Sequence, residues 1–227
     1  MCHHHSRFYL FAAVVLLISM CLLPLTAGSA ASSITTLYDG GNGYHGNMFD
    51  ITVLSGGNVE ITSFDVNLET FEIPLKVSVY YREGSYVGYE ADSSAWTLAG
   101  SDTVTAQGEG NPTPVSVGSI WLTSGKTYGF YITLDSTDRS GHMFYTENST
   151  TYENADLKLT LGAGLGHPIF THINGARVWN GTIYYNLHDV PQTGDASTPF
   201  LWLALALTAL TGGTAAALWR RRQARRS

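Results

Sequence analysis

The sequence predicts an all-β ectodomain, an antiparallel β-sandwich with jelly-roll-like topology, followed by one C-terminal transmembrane helix. Apolar and polar residues alternate with period two through much of residues 31–186, which is typical of strands with one buried face. Clusters of Gly, Asn, Asp and Pro separate nine or ten such runs. A run without charged residues, 200–219, precedes five arginines. About 20 apolar residues suffice to cross a bilayer as a helix.

The alternating runs define the strands in order, and we expect them at 49–53, 59–68, 75–81, 96–104, 115–122, 128–134, 142–146, 157–161 and 178–185. In the second run the apolar phase shifts by one residue after Ile61, so Thr62 and Ser63 predict a β-bulge. The number of runs exceeds the seven strands of a constant-type immunoglobulin domain, and the Cys-Trp-Cys core is missing. Both features favour a jelly roll over an immunoglobulin-like sandwich.

Residues 1–30 have the layout of a secretory signal peptide. Arg7 precedes an apolar core, 8–25, and small residues follow it. An uncleaved N-terminal anchor is the alternative. Both cysteines, Cys2 and Cys21, lie in this segment. The mature domain, 31–186, would therefore contain no disulfide and would depend on packing and strand pairing.

The C-terminal part combines a short polar linker, 187–199, the apolar run 200–219 and a basic tail, 220–227. Within the linker lies the pentapeptide Val190, Pro191, Gln192, Thr193, Gly194. This arrangement resembles the cell-wall sorting signal of Gram-positive surface proteins, whose pentapeptide is Leu-Pro-any-Thr-Gly. The resemblance implies that a sortase cleaves between Thr193 and Gly194 and joins the chain to cell-wall peptidoglycan.

Val190 departs from the leucine of that signal, which leaves the sortase class open. The alternative is a plain one-span anchor, with the arginines of the tail on the cytoplasmic side of the membrane. In both cases the ectodomain is extracellular, bound to the cell wall or to the cell membrane.

A second resemblance concerns the ectodomain. The strings at 43–51, 127–132 and 177–185 are similar to an uncharacterised β domain of exported bacterial proteins that carry varied sorting tails. The resemblance implies export and a β fold, and it implies no particular chemistry.

The charge distribution excludes anionic partners. The net charge of the whole chain is −6, yet residues 31–193 contain six basic and seventeen acidic residues, a net charge of about −11. Nucleic acids and anionic membrane surfaces repel such a domain.

No catalytic motif is present. The exported histidines, which are His45, His142, His167, His172 and His188, lack the spacing of metal ligands on a helix. The exported part has no cysteine nucleophile and no Gly-x-Ser-x-Gly elbow. We therefore expect no enzymatic activity, and an extracellular glycan hydrolase is the alternative that a deep pocket with converging carboxylates would favour.

Four aromatic residues are candidates for a ligand-binding surface: Tyr80, Tyr86, Tyr89 and Trp96. Aromatic rings stack on the apolar faces of sugars, and neighbouring carboxylates bind hydroxyl groups. The alternative is that these rings belong to the core or are half buried. We expect no cofactor, except that Asp92, Asp135 and Asp138 could contribute to a calcium site in loops.

The sequence thus predicts a secreted, surface-anchored, non-enzymatic module for adhesion or for binding of carbohydrate or another ligand at the bacterial cell wall. A purely structural protein, or one whose ligand is another surface protein, is the alternative.

Overall fold

The computed structural model describes residues 31–135, 141–147 and 151–189. The predicted signal peptide, sorting motif, membrane span and basic tail lie outside these ranges, and so does Asp138. The described residues form an all-β structure with antiparallel strands, as predicted. None of them belongs to a helix long and apolar enough to cross a membrane.

The described residues form fourteen strands and one 3₁₀ turn, Ser93–Ala95. In chain order the strands are β1 (Ala31–Thr35), β2 (Asn42–Tyr44), β3 (Gly46–Val53), β4 (Asn58–Asn67), β5 (Leu75–Glu83), β6 (Thr97–Val104), β7 (Pro112–Val115), β8 (Ile120–Leu122), β9 (Thr127–Leu134), β10 (Met143–Thr146), β11 (Tyr152–Glu153), β12 (Leu157–Gly166), β13 (Thr171–Trp179) and β14 (Gly181–His188).

Two sheets share these strands. The five-stranded sheet has the order β1-β14-β4-β7, and β8 also pairs with β4. The nine-stranded sheet has the order β2-β10-β13-β12-β3-β9-β5-β6, with β11 added to β12. One cluster of buried apolar side chains draws on both sheets, so the described residues form a β-sandwich-like fold.

Aromatic rings occupy the centre of this core. Phe49 of β3 stacks on Trp179 of β13 with ring centroids 4.9 Å apart, and Phe64 of β4 meets the edge of the same indole at 6.4 Å. The alternating apolar residues of the predicted strands at 49–53 and 128–134 face this core. Burial of these side chains is the main stabilising contribution, at about 25 cal/mol per Å² of apolar area.

The predicted bulge in β4 is confirmed. Tyr184 lies opposite Ser63 and Tyr185 lies opposite Ile61, so Thr62 is the extra residue between them. The bulge lets Val59 and Ile61 before it, and the apolar residues after it, all face the core.

Two predicted strands are each divided in the structure. The run 178–185 splits at Asn180, where the chain leaves the nine-stranded sheet and enters the five-stranded sheet. The buried Asn180 amide donates to Thr146 Oγ1 and its Oδ1 accepts from Gly40 N–H. The run 115–122 likewise divides into the end of β7 and the separate strand β8, and both pair with β4.

Candidate functional site

Three of the four predicted ligand-binding aromatics lie in a second, smaller apolar cluster on the outer side of the nine-stranded sheet. Trp96 is only 8 % exposed. Its ring contacts those of Tyr131 and Phe170, with centroids 6.3 and 6.1 Å away. Tyr80 stacks on Tyr131 at 6.0 Å, and Tyr86 packs against the same cluster. Trp96 is thus buried, and Tyr80 and Tyr86 are partly buried against the same cluster. This arrangement agrees with the alternative interpretation of the sequence.

The segment between β5 and β6 covers this cluster, and hydrogen bonds to Asp50 of β3 fix its position. The carboxylate accepts from Ser85 Oγ at 2.6 Å and from Tyr86 N–H at 2.9 Å. Burial raises the pKa of Asp50, which its hydrogen bonds and the nearby Arg82 partly oppose. The Trp96 Nε1–H donates to Tyr89 O at 2.9 Å. The segment is therefore a packed part of the fold.

Tyr89 is the fourth predicted aromatic, and it is 41 % exposed. The Arg82 guanidinium lies over its ring, 3.6 Å from the centroid. A cation on one face of the ring leaves it little room to stack on a ligand from that side.

The two described calcium candidates have separate local partners. Asp92 accepts from the backbone N–H and the hydroxyl of Ser94 and thereby caps the 3₁₀ turn. Asp135 accepts from Lys76 Nζ at 2.7 Å and from Ser78 Oγ at 3.2 Å. In the three described ranges, no three side chains of His, Cys, Asp or Glu are arranged to hold a metal ion.

Three histidines that are distant in sequence come together at the ends of strands of the nine-stranded sheet: His45 precedes β3, His142 precedes β10 and His167 follows β12. The buried His45 ring lies 5.7 Å from that of His167 and 6.3 Å from that of His142. His142 Nδ1 also lies 3.0 Å from a carboxylate oxygen of Glu69. The sequence gives no sign of this grouping, because the three residues belong to different connections between strands.

The outer side of the five-stranded sheet carries a different aromatic group. Trp121 of β8 lies directly opposite Glu60 of β4, which lies opposite Asn186 of β14. Tyr184 and His188 of β14 share this side, because residues two apart in a strand point the same way. Trp121 is 53 % exposed and Tyr184 37 % exposed. We call these five residues the Trp121 face.

Glu60 is the fixed centre of the Trp121 face. Its Oε1 accepts from Ser119 Oγ at 2.6 Å, and its Oε2 accepts from His188 Nε2 at 2.9 Å and from Asn186 Nδ2 at 3.4 Å. The hydrogen bonds from Ser119 and His188 lower the pKa of Glu60 below its usual value. A carboxylate has about four acceptor positions, so the ionised Glu60 retains capacity for a further donor.

His188 links the carboxylate to the indole. Its ring lies 4.5 Å from that of Trp121, at an interplanar angle of 47°. This contact supports Trp121 from one side, while more than half of its surface is open to solvent.

Tyr184 extends the face along β14. Its hydroxyl donates to Asp65 Oδ2 at 2.7 Å, and this bond is the largest cause of the raised pKa of Tyr184. Asp65 itself is buried. The phenol is thus fixed in position while its ring is partly exposed.

The period-two alternation of apolar residues could have identified Trp121 as an outward-facing residue. Ile120 and Leu122 are core residues, and period two then places Trp121 on the outer side of its strand. The sequence could not show that Glu60 and Asn186 lie beside it, because that depends on the register of three strands distant in sequence.

A small cavity lies beside Trp179. Its volume is about 10 Å³, and its lining comprises Thr36, Phe49, Tyr152, Leu159, Thr160, Val178 and Trp179. That volume suits one water molecule, and none of these residues is a carboxylic acid. The cavity lacks the paired acids that the glycan-hydrolase alternative requires.

No known protein family matches the sequence, and no curated protein matches it with significance.

Proposed function

We propose that this protein is a secreted, surface-anchored, non-enzymatic module that binds carbohydrate through the Trp121 face. The observation that carries the proposal is the exposed indole of Trp121, supported by His188 and placed next to a carboxylate whose two oxygens are both held by hydrogen bonds.

The chemistry of the face matches a pyranose ring. The open surface of Trp121 offers a flat apolar area for the C–H face of a sugar. Glu60 accepts from sugar hydroxyls, and the amide of Asn186 provides both a donor and an acceptor. A few fixed polar groups around an aromatic surface are the usual composition of a small-ligand site.

The negative charge of the face limits which sugars can bind there. Glu60 and Asp65 lie on or under the face, and the exported chain is strongly acidic. Uronic, sialic and phosphorylated sugars would bring another negative charge beside Glu60. We therefore infer that the ligand is a neutral or N-acetylated pyranose.

The location proposed for this module rests on the sequence. The signal peptide of residues 1–30 directs export, and the motif 190–194 with the span 200–219 and the tail 220–227 supports anchoring by a sortase. We also propose the jelly-roll-like topology for the sandwich and a helical membrane span for residues 200–219.

Mass spectrometry of the chain released from a Gram-positive host tests the anchor. A C-terminus at Thr193 that carries a wall fragment is the expected result. An intact arginine tail in the membrane fraction would contradict sorting and favour the plain anchor.

A glycan array probed with the full-length chain in detergent micelles tests the binding. We expect neutral pyranose ligands, and we expect Trp121→Ala to weaken their binding at least tenfold. Tyr89→Ala is the matched control, since it removes another exposed aromatic, in the segment between β5 and β6, and should change affinity less than twofold. Equal loss in both variants, or unchanged binding in Trp121→Ala, would refute the assignment of the site.

A further inference from the structure

The Trp121 face includes the last residue of β14, the last strand in the part of the chain that the structure describes. β14 ends at His188, and the His188 ring contacts both Trp121 and Glu60. The connection to the proposed anchor therefore begins directly after a residue of the face. The number of residues in this connection sets the greatest distance between the face and the attachment point.

The tether between the face and the sorting site is short. Residues 189–193 separate His188 from the scissile bond after Thr193, which is five residues. A fully extended chain spans at most about 3.6 Å per residue, so the limit is about 18 Å. With the plain membrane anchor, residues 189–199 separate His188 from the apolar run, and the limit is about 40 Å.

From this connection we propose that the ligand of the Trp121 face is the glycan strand of the peptidoglycan to which the chain is itself attached. The inference rests on the proposed function and adds the identity of the ligand. The amino sugars of these strands are N-acetylated pyranoses, the class that the acidic face accepts. A face held within about 18 Å of the attachment point meets these strands before any glycan of another cell.

The tether also lowers the affinity that the face needs in order to be occupied on the wall. A short tether between a binding site and its ligand creates an effective ligand concentration in the millimolar range. A site with a dissociation constant near 1 mM would then be about half occupied or better on the wall, although it would bind free fragments only weakly. A small open face with one stacking ring is suited to such an affinity.

The test compares wall glycan with other neutral glycans. The full-length chain in micelles, with the variants Trp121→Ala and Tyr89→Ala, is incubated with peptidoglycan sacculi stripped of anionic polymers and with soluble glycan strands that keep their stem peptides. The peptides are kept because their removal would expose the lactyl carboxylate of each N-acetylmuramic acid. Insoluble neutral polysaccharides of plant and animal origin serve as the second panel.

The expected result is binding to sacculi and to free strands that falls at least tenfold in Trp121→Ala and less than twofold in Tyr89→Ala. Binding to the second panel through Trp121, with none to wall strands, would overturn this inference and leave the proposed function standing. Absence of binding to every glycan, or binding that is unchanged in Trp121→Ala, would overturn both this inference and the proposed function.

A second measurement addresses the geometry in cells. A photoreactive amino acid replaces Thr123, an exposed residue two positions from Trp121, in one variant and Tyr89 in another, so that Trp121 itself is kept, and intact cells that display the anchored chain are irradiated. We expect crosslinks to glycan strands from position 123 at least five times as often as from position 89. Equal yields at the two positions would overturn the inference.

Discussion

Replacement of Trp96 and of Trp121 by alanine should have opposite consequences, because the two indoles have opposite surroundings. Trp96 is 8 % exposed, and its ring contacts Tyr131 and Phe170. Its Nε1–H also donates to the Tyr89 carbonyl. Trp121 is 53 % exposed.

The magnitudes follow from these surroundings. A buried aromatic side chain removes about 150–250 Å² from water, which corresponds to about 4–6 kcal/mol at about 25 cal/mol per Å². The cover over Trp96 can collapse partly into the space that alanine leaves, so we expect a loss of about 3–4 kcal/mol of unfolding free energy, within the range of such substitutions. For Trp121→Ala we expect a loss below about 1 kcal/mol, because most of its surface is already in water.

Urea unfolding of the full chain, followed by the far-ultraviolet circular dichroism of the strands, measures both effects. The midpoint should fall in Trp96→Ala with an unchanged slope, which marks a change in stability rather than in the extent of unfolding. Glycan binding should show the reverse order, with the large loss in Trp121→Ala. If Trp96→Ala kept its midpoint and lost glycan binding, the cluster around Trp96 would be a ligand surface and our reasoning would be wrong.

Three further predictions concern single residues. The pKa of Glu60 is lowered in the fold, so the stability that its hydrogen bonds contribute is present above its usual pKa and is lost as the pH falls through the lowered value. The difference between the wild type and Glu60→Gln, below about 1 kcal/mol for a surface group, should therefore be larger in urea unfolding at pH 6 than at pH 3; a difference that grew on acidification would contradict the sign. Asp50→Ala should cost about 1–3 kcal/mol by removing hydrogen bonds to a charged acceptor, and limited proteolysis should then cut the segment between β5 and β6, whereas undiminished resistance there would refute the role of Asp50. Gly162→Ala should sharply reduce the folded yield, because an added Cβ collides with the carbonyl oxygen of Met48; a normal yield on size-exclusion chromatography would show that β12 can shift away from β3.

Much of the described fold was predictable from local pattern. The apolar alternation in β3, β5 and β9 identified their core residues, and the phase shift after Ile61 identified the bulge at Thr62. Such signals survive because a strand with one buried face must place its apolar residues two apart. The prediction missed the division of the run 178–185, although the Asn180-Gly181 pair is a turn signal. That the chain passes between the two sheets at this point depends on strand pairings that the local pattern does not contain.

The sequence by itself determined that the domain is a β-sandwich-like fold, which side chains point outward from its predicted strands, and where an export signal and an anchor are to be expected. Only the tertiary structure decided which outward aromatics are covered. The cover held by Asp50 buries Trp96, while the register of β8, β4 and β14 leaves Trp121 open beside Glu60. The physical reason is that period two sets the direction of a side chain, whereas its neighbours are set by strand pairings and loop contacts between residues far apart in the chain.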